Sequence, residues 1–226
     1  MQRYNIFFPV HKGLRALLFE TAIQLQQTSF LDAVETAQAI DQVKTVIALF
    51  ESHAHKEDSF VFPAIAAWEP SVVAAFEAEH DEDHALGESL QNWLTAMTYA
   101  AAPSAKQTIG EKLTAAYLRF MVFNLCHMAK EEEAINPILW RYYSDSELHD
   151  ITLKIMKAVP QPEMADFSRW MVRGLNTTEI LHWLRGVKNT APKPAFYALL
   201  NVAERELQPH RWNLVQDSLT EGAMVV

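Results

Sequence analysis

The sequence predicts an all-α protein: an antiparallel up-down-up-down four-helix bundle with a C-terminal extension of shorter helices. Three observations point to this fold. Apolar residues recur at three- and four-residue spacing through most of the 226 residues. No run alternates apolar and polar residues as a half-buried strand would. Gly (6) and Pro (10) are too sparse for a turn-dense β fold. Hydrophobic residues make up 50% and charged residues 21%, enough apolar material to bury a sizeable core.

The first helix is expected over about 10–28, where Val10, Leu14, Leu17, Leu18 and Leu25 share one face. The second starts at Asp32, carries Val43, Ile47 and Phe50, and continues toward Pro63 or Trp68. A third opens after Pro70-Ser71 with Val73, Phe76, Leu86, Leu90, Leu94 and Met97. The fourth follows Pro103-Ser104, where Ser104 and Gln107 have capping-box spacing, and holds Leu113, Tyr117, Phe120, Val122, Leu125 and Ile138. The break at Tyr142-Tyr143-Ser144 divides the chain into a bundle, 1–143, and an extension, 144–226. In the extension, Ser144/Glu147 and Asn176/Glu179 again predict capping boxes. Its helices are expected over about 146–158, about 163–173, from Asn176 to near Gly186, and from Pro192/Pro194 past Leu207 to an interruption near Pro209. Trp170, Trp183 and Trp212 make it apolar enough to pack on the bundle, on a protein partner or on a second copy of the chain.

Charge and cysteine usage narrow the function. A net charge of −9 disfavours nucleic acid and anionic membranes as partners. One cysteine cannot build a disulfide framework, a thiolate zinc site or an iron–sulfur cluster within this chain. The first residues lack the apolar stretch of a signal peptide, and no apolar run reaches the roughly 20 residues of a membrane span. A soluble protein of the cytoplasm is the expectation.

The histidines and their neighbouring glutamates carry the chemistry. His53-Ala54-His55-Lys56-Glu57 and His127-Met128-Ala129-Lys130-Glu131 each run on to a proline, Pro63 and Pro137, at the same offset. This short internal repeat lies on the second and fourth helices, with His80 and His84 on the third. Four residues advance a helix to within about 40° of the starting direction, so each pair projects from one face a turn apart. His53/Glu57 and His80/His84 fall at matching depths about the turn near Glu69, roughly 17–24 Å from one end of the bundle. His11, near the start of the first helix, reaches the same level, and the fourth helix fits with a turn or two of offset.

The candidate metal ligands are therefore His11, His53, Glu57, His80, His84, His127 and Glu131. Imidazole and carboxylate suit iron, manganese or zinc where no thiolate is present. If Glu57 and Glu131 each bridge two metals, five histidines and a shared oxygen leave about one of roughly twelve coordination positions open. His55 is expected to face solvent, and His149, His182 and His210 to lie at the surface. Cys126 should be buried and inert. Phe7, Phe8, Phe50, Phe120 and Phe123 are expected in the core. The acidic run Glu77, Glu79, Asp81, Glu82, Asp83 reads as a solvated face in which a carboxylate could orient a ligand histidine.

The order His11, His53-x-x-x-Glu57, His80-x-x-x-His84, His127-x-x-x-Glu131 resembles the hemerythrin-like (HHE cation-binding) family over about 1–143. His11-Lys12-Gly13-Leu14-Arg15, Phe60-Val61-Phe62-Pro63 and Glu131-Glu132-Glu133 also resemble that family's helix context. The resemblance implies two iron ions joined by an oxo or hydroxo bridge, with manganese or zinc as substitutes. It also implies a small diatomic or peroxide ligand, as members bind O2, respond to NO or redox state, or store and repair iron. In oxygen-carrying members the last pair has one more residue between its His and an Asp, which here would point to Glu132; the internal repeat favours Glu131. The alternative is a di-iron enzyme acting on peroxide or NO, or in iron-centre repair. With no second reactive cysteine and no rubredoxin-like module in the sequence, binding or sensing is the preferred reading.

Overall fold

A computed structural model of the chain describes residues 3–221; positions 1–2 and 222–226, the outer ends of the two expected segments, lie outside the described residues. Among the described residues the protein is helical, with no strand. The long helices are α1 (Phe8–Gln27), α2 (Ala33–Lys56), α4 (Pro70–Tyr99) and α5 (Pro103–Tyr142), and between α2 and α4 lie a π-helical turn (Glu57–Val61) and the short α3 (Phe62–Ile65). Then come α6 (Asp145–Ala158), α7 (Gln161–Gly174), α8 (Thr177–Thr190), α9 (Lys193–Glu206) and α10 (Pro209–Glu221).

Local chemistry explains the boundaries. Asp32 caps α2 by accepting from the backbone N–H groups of Val34 and Glu35. Ser144/Glu147 and Asn176/Glu179 form the two expected capping boxes on α6 and α8. The one expected at Ser104/Gln107 is absent, because α5 starts earlier, with Pro103 in its first turn and Ala102 as N-cap. Gln107 donates instead to Glu111 at 3.0 Å, within the helix. α8 also runs past Gly186, where the sequence suggested a stop; no turn is needed there, and Gly186 has no positive φ.

The chain forms two compact units. The first comprises Met1–Phe8 and Leu17–Pro160, the second Pro9–Ala16 and Gln161–Val226. In the first, α4 packs along α5 and against α2, while α3 and α6 both pack on the π turn. A core of Ile6, Phe7, Val61, Phe62, Ile65, Phe76, Ile135 and Leu139 fills one end, and Leu148 and Ile151 of α6 join it. Arg3 ties the N-terminal segment to the end of α5 and the start of α6, donating to Asp145 at 2.6 Å and to the Tyr143 carbonyl at 2.7 Å. Tyr117 and Phe120 are buried on α5, and the Tyr117 hydroxyl donates to the Leu18 carbonyl at 2.9 Å. No helix among the described residues is long and apolar enough to cross a membrane.

In the second unit α7 packs on α9, and α8 packs on both α9 and α10. Trp170 is its largest buried side chain, flanked by the guanidinium groups of Arg169 and Arg173. Gly13 and Gly174 let two backbones touch: a Cβ on Gly174 would strike the Lys12 carbonyl, and one on Gly13 would lie 2.8 Å from the Met171 nitrogen. Lys12 then reaches Glu179 at 2.7 and 2.8 Å.

Candidate metal centre

Each side of the centre is supplied by a different element. α2 ends with His53 on its buried face, four residues before Glu57 opens the π turn. Pro63 has no N–H to offer the ladder, and the Phe62 N–H bonds to the Glu57 carbonyl five residues back. The matching proline of the repeat, Pro137, sits inside α5 with no such turn.

α4 buries Val73, Phe76, His80, Asp83, Gly87, Leu90, Leu94 and Met97, a strict three-and-four stripe. α5 buries Phe120, Asn124, His127, Glu131 and Ile135 in the same manner.

The side chains of Glu57, His80, His127 and Glu131 converge, each offering a ligand atom within 4.8 Å of the others. Glu57 and Glu131 also meet His53 within the same limit, so the two carboxylates are common to both flanks. His53 Nε2 stands 3.2 Å from Glu57 Oε1, and His127 Nε2 stands 3.2 Å from Glu131 Oε1. His80 Nε2 lies 3.5 Å from Glu57 Oε2 and 3.9 Å from Glu131 Oε1. All are buried, Glu131 completely. His11 is likewise fully buried, on α1.

The rings are held on their other sides as well. His80 Nδ1 lies 2.8 Å from Asp58 Oδ1, and His127 Nδ1 lies 2.9 Å from Glu79 Oε2. Glu79 is in turn gripped by Lys130 at 2.7 Å. Phe62 stacks on His80 and Phe123 on His127.

Burial pulls the His80 imidazolium down, but hydrogen bonds and charge from Glu57 and Asp58 outweigh it and raise its pKa from 6.5 to about 9. Burial opposes protonation of His127 too, and Glu131 and Glu79 outweigh it, again to about 9. A concentrated negative field of buried carboxylates that draws protons onto imidazoles is what a cation would find there instead.

His84 is not part of this cluster. Its side chain is 64% exposed and lies 3.5 Å from Glu88. His80 sits at one margin of the buried face of α4, which extends to its Asp83 side, so the further 40° to His84 turns that side chain into solvent. The α4 stripe steps from His80 by three to Asp83, which takes the inward seat and leaves His84 one step outside. Asp83 belongs to the interior, not to the expected solvated face. It accepts from Asn124 at 2.6 Å, and burial raises its pKa despite that bond.

Cys126 is exposed rather than buried. It lies a 100° step from the inward-facing His127, on the side away from buried Met128. His55, His149, His182 and His210 are exposed, as expected from their positions. Glu132 is only partly buried, beside the fully buried Glu131.

Sequence reasoning missed Asp58 and Asp83. Asp58 directly follows a ligand candidate, a 100° step off the ligand face, and like Glu79 beside His80 it meets a ring on the neighbouring helix, a tertiary contact the local spacing does not reveal. Asp83 was legible in the three-residue step from His80.

The chain matches the hemerythrin HHE cation binding domain over residues 3–139. Two zinc finger proteins described as BRUTUS-like, both from Arabidopsis thaliana, are similar to it. One is 26% identical over 193 residues, 82% of this chain and 15% of its own length. The other is 25% identical over 177 residues, 77% of this chain and 14% of its own length. The chain thus spans about a seventh of the length of these relatives. No solved structure matches the sequence.

Proposed function

The chain belongs to the hemerythrin HHE cation-binding family, and on that premise we propose that it holds two iron ions and binds or senses O2, NO or peroxide at them. The bundle we propose around the ions is the antiparallel up-down-up-down arrangement of α1, α2, α4 and α5. Its ligands are His11, His53, Glu57, His80, His127 and Glu131, with manganese or zinc as substitutes for iron.

The observation that carries this reading is the sharing of two buried carboxylates. Glu57 and Glu131 belong with His53 on one flank and with His80 and His127 on the other, which is the donor arrangement two neighbouring cations require. The residues fit the group in a further respect. His80 Nε2 is buried and its carboxylate neighbours stand off at 3.5 and 3.9 Å, longer than a well-formed hydrogen bond, a costly condition for an imidazole nitrogen unless another Lewis acid occupies its place. Bound iron would supply redox chemistry and a Lewis-acidic position for an external ligand.

The chain's own contribution is to exclude water, fix the imidazoles and neutralise the ions' charge. Phe62, Phe76 and Phe123 flank His80 and His127 with apolar rings, which favours small ligands on that side. With His84 at the surface, the protein supplies one donor fewer than the spacing suggested, and the coordination shell is correspondingly more open. The second unit is a surface for a protein partner or a second copy, and the cytoplasm is the compartment we assign.

Elemental analysis of anaerobically purified protein, read beside its visible absorption, tests the proposal. About two irons per chain with a ferric charge-transfer band is the expected result. Substoichiometric content of every transition metal after reconstitution would overturn it. Steady-state consumption of peroxide or NO by the loaded protein would move the reading to an enzyme.

A further inference from the structure

We propose that Asp58 and Glu79 are positioning residues that favour one cation of the pair, the one between His80 and His127; this rests on the two-cation reading above. Both carboxylates address the far nitrogen of a ligand imidazole, Asp58 Oδ1 at 2.8 Å from His80 Nδ1 and Glu79 Oε2 at 2.9 Å from His127 Nδ1. An imidazole that donates its Nδ1–H outward presents the Nε2 lone pair inward, with its tautomer and ring plane fixed. Nε2 of each ring is the atom that faces Glu57 or Glu131.

The supports cross between helices. The π turn carries the ligand Glu57 and, next to it, the support for His80 on α4. In the same way α4 carries His80 and, next to it, the support for His127 on α5. Each support thereby fixes a ring on the neighbouring helix, and both rings belong to one donor group, Glu57, His80, His127 and Glu131. Glu79 is further held by Lys130 Nζ at 2.7 Å, while Asp58 reaches His80 from a half-exposed position.

The test uses the full chain, stripped of metal and titrated anaerobically with Fe(II) in competition with a chelator. Asp58→Ala and Glu79→Ala are each expected to weaken one of two binding steps by about 10–100-fold and to leave the other in place. Asp58→Asn, whose amide oxygen can still accept from Nδ1, should recover part of the loss. Asp81→Ala, an exposed carboxylate on α4 that removes the same charge, should change neither step. Asp58→Asn and Glu79→Gln, which keep side-chain volume, carry the test if an alanine variant loses its helical circular dichroism. Two unchanged steps in both carboxylate variants, equal loss at both steps, or the same loss in Asp81→Ala would overturn the proposal while the two-cation reading stands. A wild-type chain that takes up no Fe(II) would remove that reading and this proposal together.

Discussion

Two imidazoles set how the centre answers to pH. The pKa values of His80 and His127, raised to about 9, mean that both rings are cationic at neutral pH in the metal-free protein. A folded-state pKa above the unfolded value of about 6.5 stabilises the fold fully below that pH, and the contribution is lost as pH rises through about 9. The melting temperature of the metal-free protein should therefore fall between pH 6.5 and pH 9. Metal binding runs the other way, because a cation needs the Nε2 lone pair that the proton occupies. Apparent metal affinity should rise across the same window, so melting curves with and without metal diverge as pH increases; parallel curves would show that these rings are not the ligands. Replacement separates the histidines of α4. His80→Ala should reduce metal content, whereas His84→Ala, at an exposed site, should leave it unchanged and shift stability by no more than about 0.5 kcal/mol. Elemental analysis of the two variants decides the matter.

Helices were legible in this chain wherever the periodicity was long, and the misses fall where neighbouring structure overrides a local signal. Ser144 and Asn176 cap the helices they were expected to cap, and Asp32, where the second helix was expected to start, caps α2, because a side-chain oxygen two or three residues before a free N–H needs no tertiary partner. The internal repeat was legible as well, yet its two copies fold differently. A π turn follows His53, while α5 passes His127 and Pro137 unbroken. In the copy with the π turn Asp58 lies against His80, a contact that could not be read from the motif. Glycine positions show the same dependence on neighbours. A Cβ on Gly87 would meet nothing within 4 Å in the middle of α4, so Gly87→Ala should stabilise the protein by about 0.5–1 kcal/mol through helix propensity alone. On α5, a Cβ at Gly110 would run into the ring of buried Phe30. There Gly110→Ala should gain the same propensity and still lose about 1–3 kcal/mol net to overpacking. Urea denaturation of both variants checks the signs, and a stabilised Gly110→Ala would mean that Phe30 moves aside at little cost.

For the molecule as a whole, metal and fold are linked through the buried charges of the first unit. Glu57 and Glu131 bring carboxylates into an interior otherwise built from residues such as Leu17, Phe50, Leu90 and Leu113. Unpaired, each such charge costs several kcal/mol, and protonated histidines compensate only while they hold their protons. Two divalent cations would compensate at any pH at which they bind. A ligand bound only by the folded state adds RT ln(1 + [L]/Kd), about 4 kcal/mol at a thousandfold excess over Kd. Removal of metal by a strong chelator at pH 8 should accordingly lower the melting temperature by several degrees, by more than at pH 6.5. The loss should be reversed by returning Fe(II) anaerobically. Because the chain divides into two compact units, the drop should appear in the transition of the first, which contains His53, Glu57, His80, His127 and Glu131. Differential scanning calorimetry follows both transitions in one experiment. A chelator shift confined to a transition that retains the first unit's hydrogen-exchange protection would place the metal elsewhere.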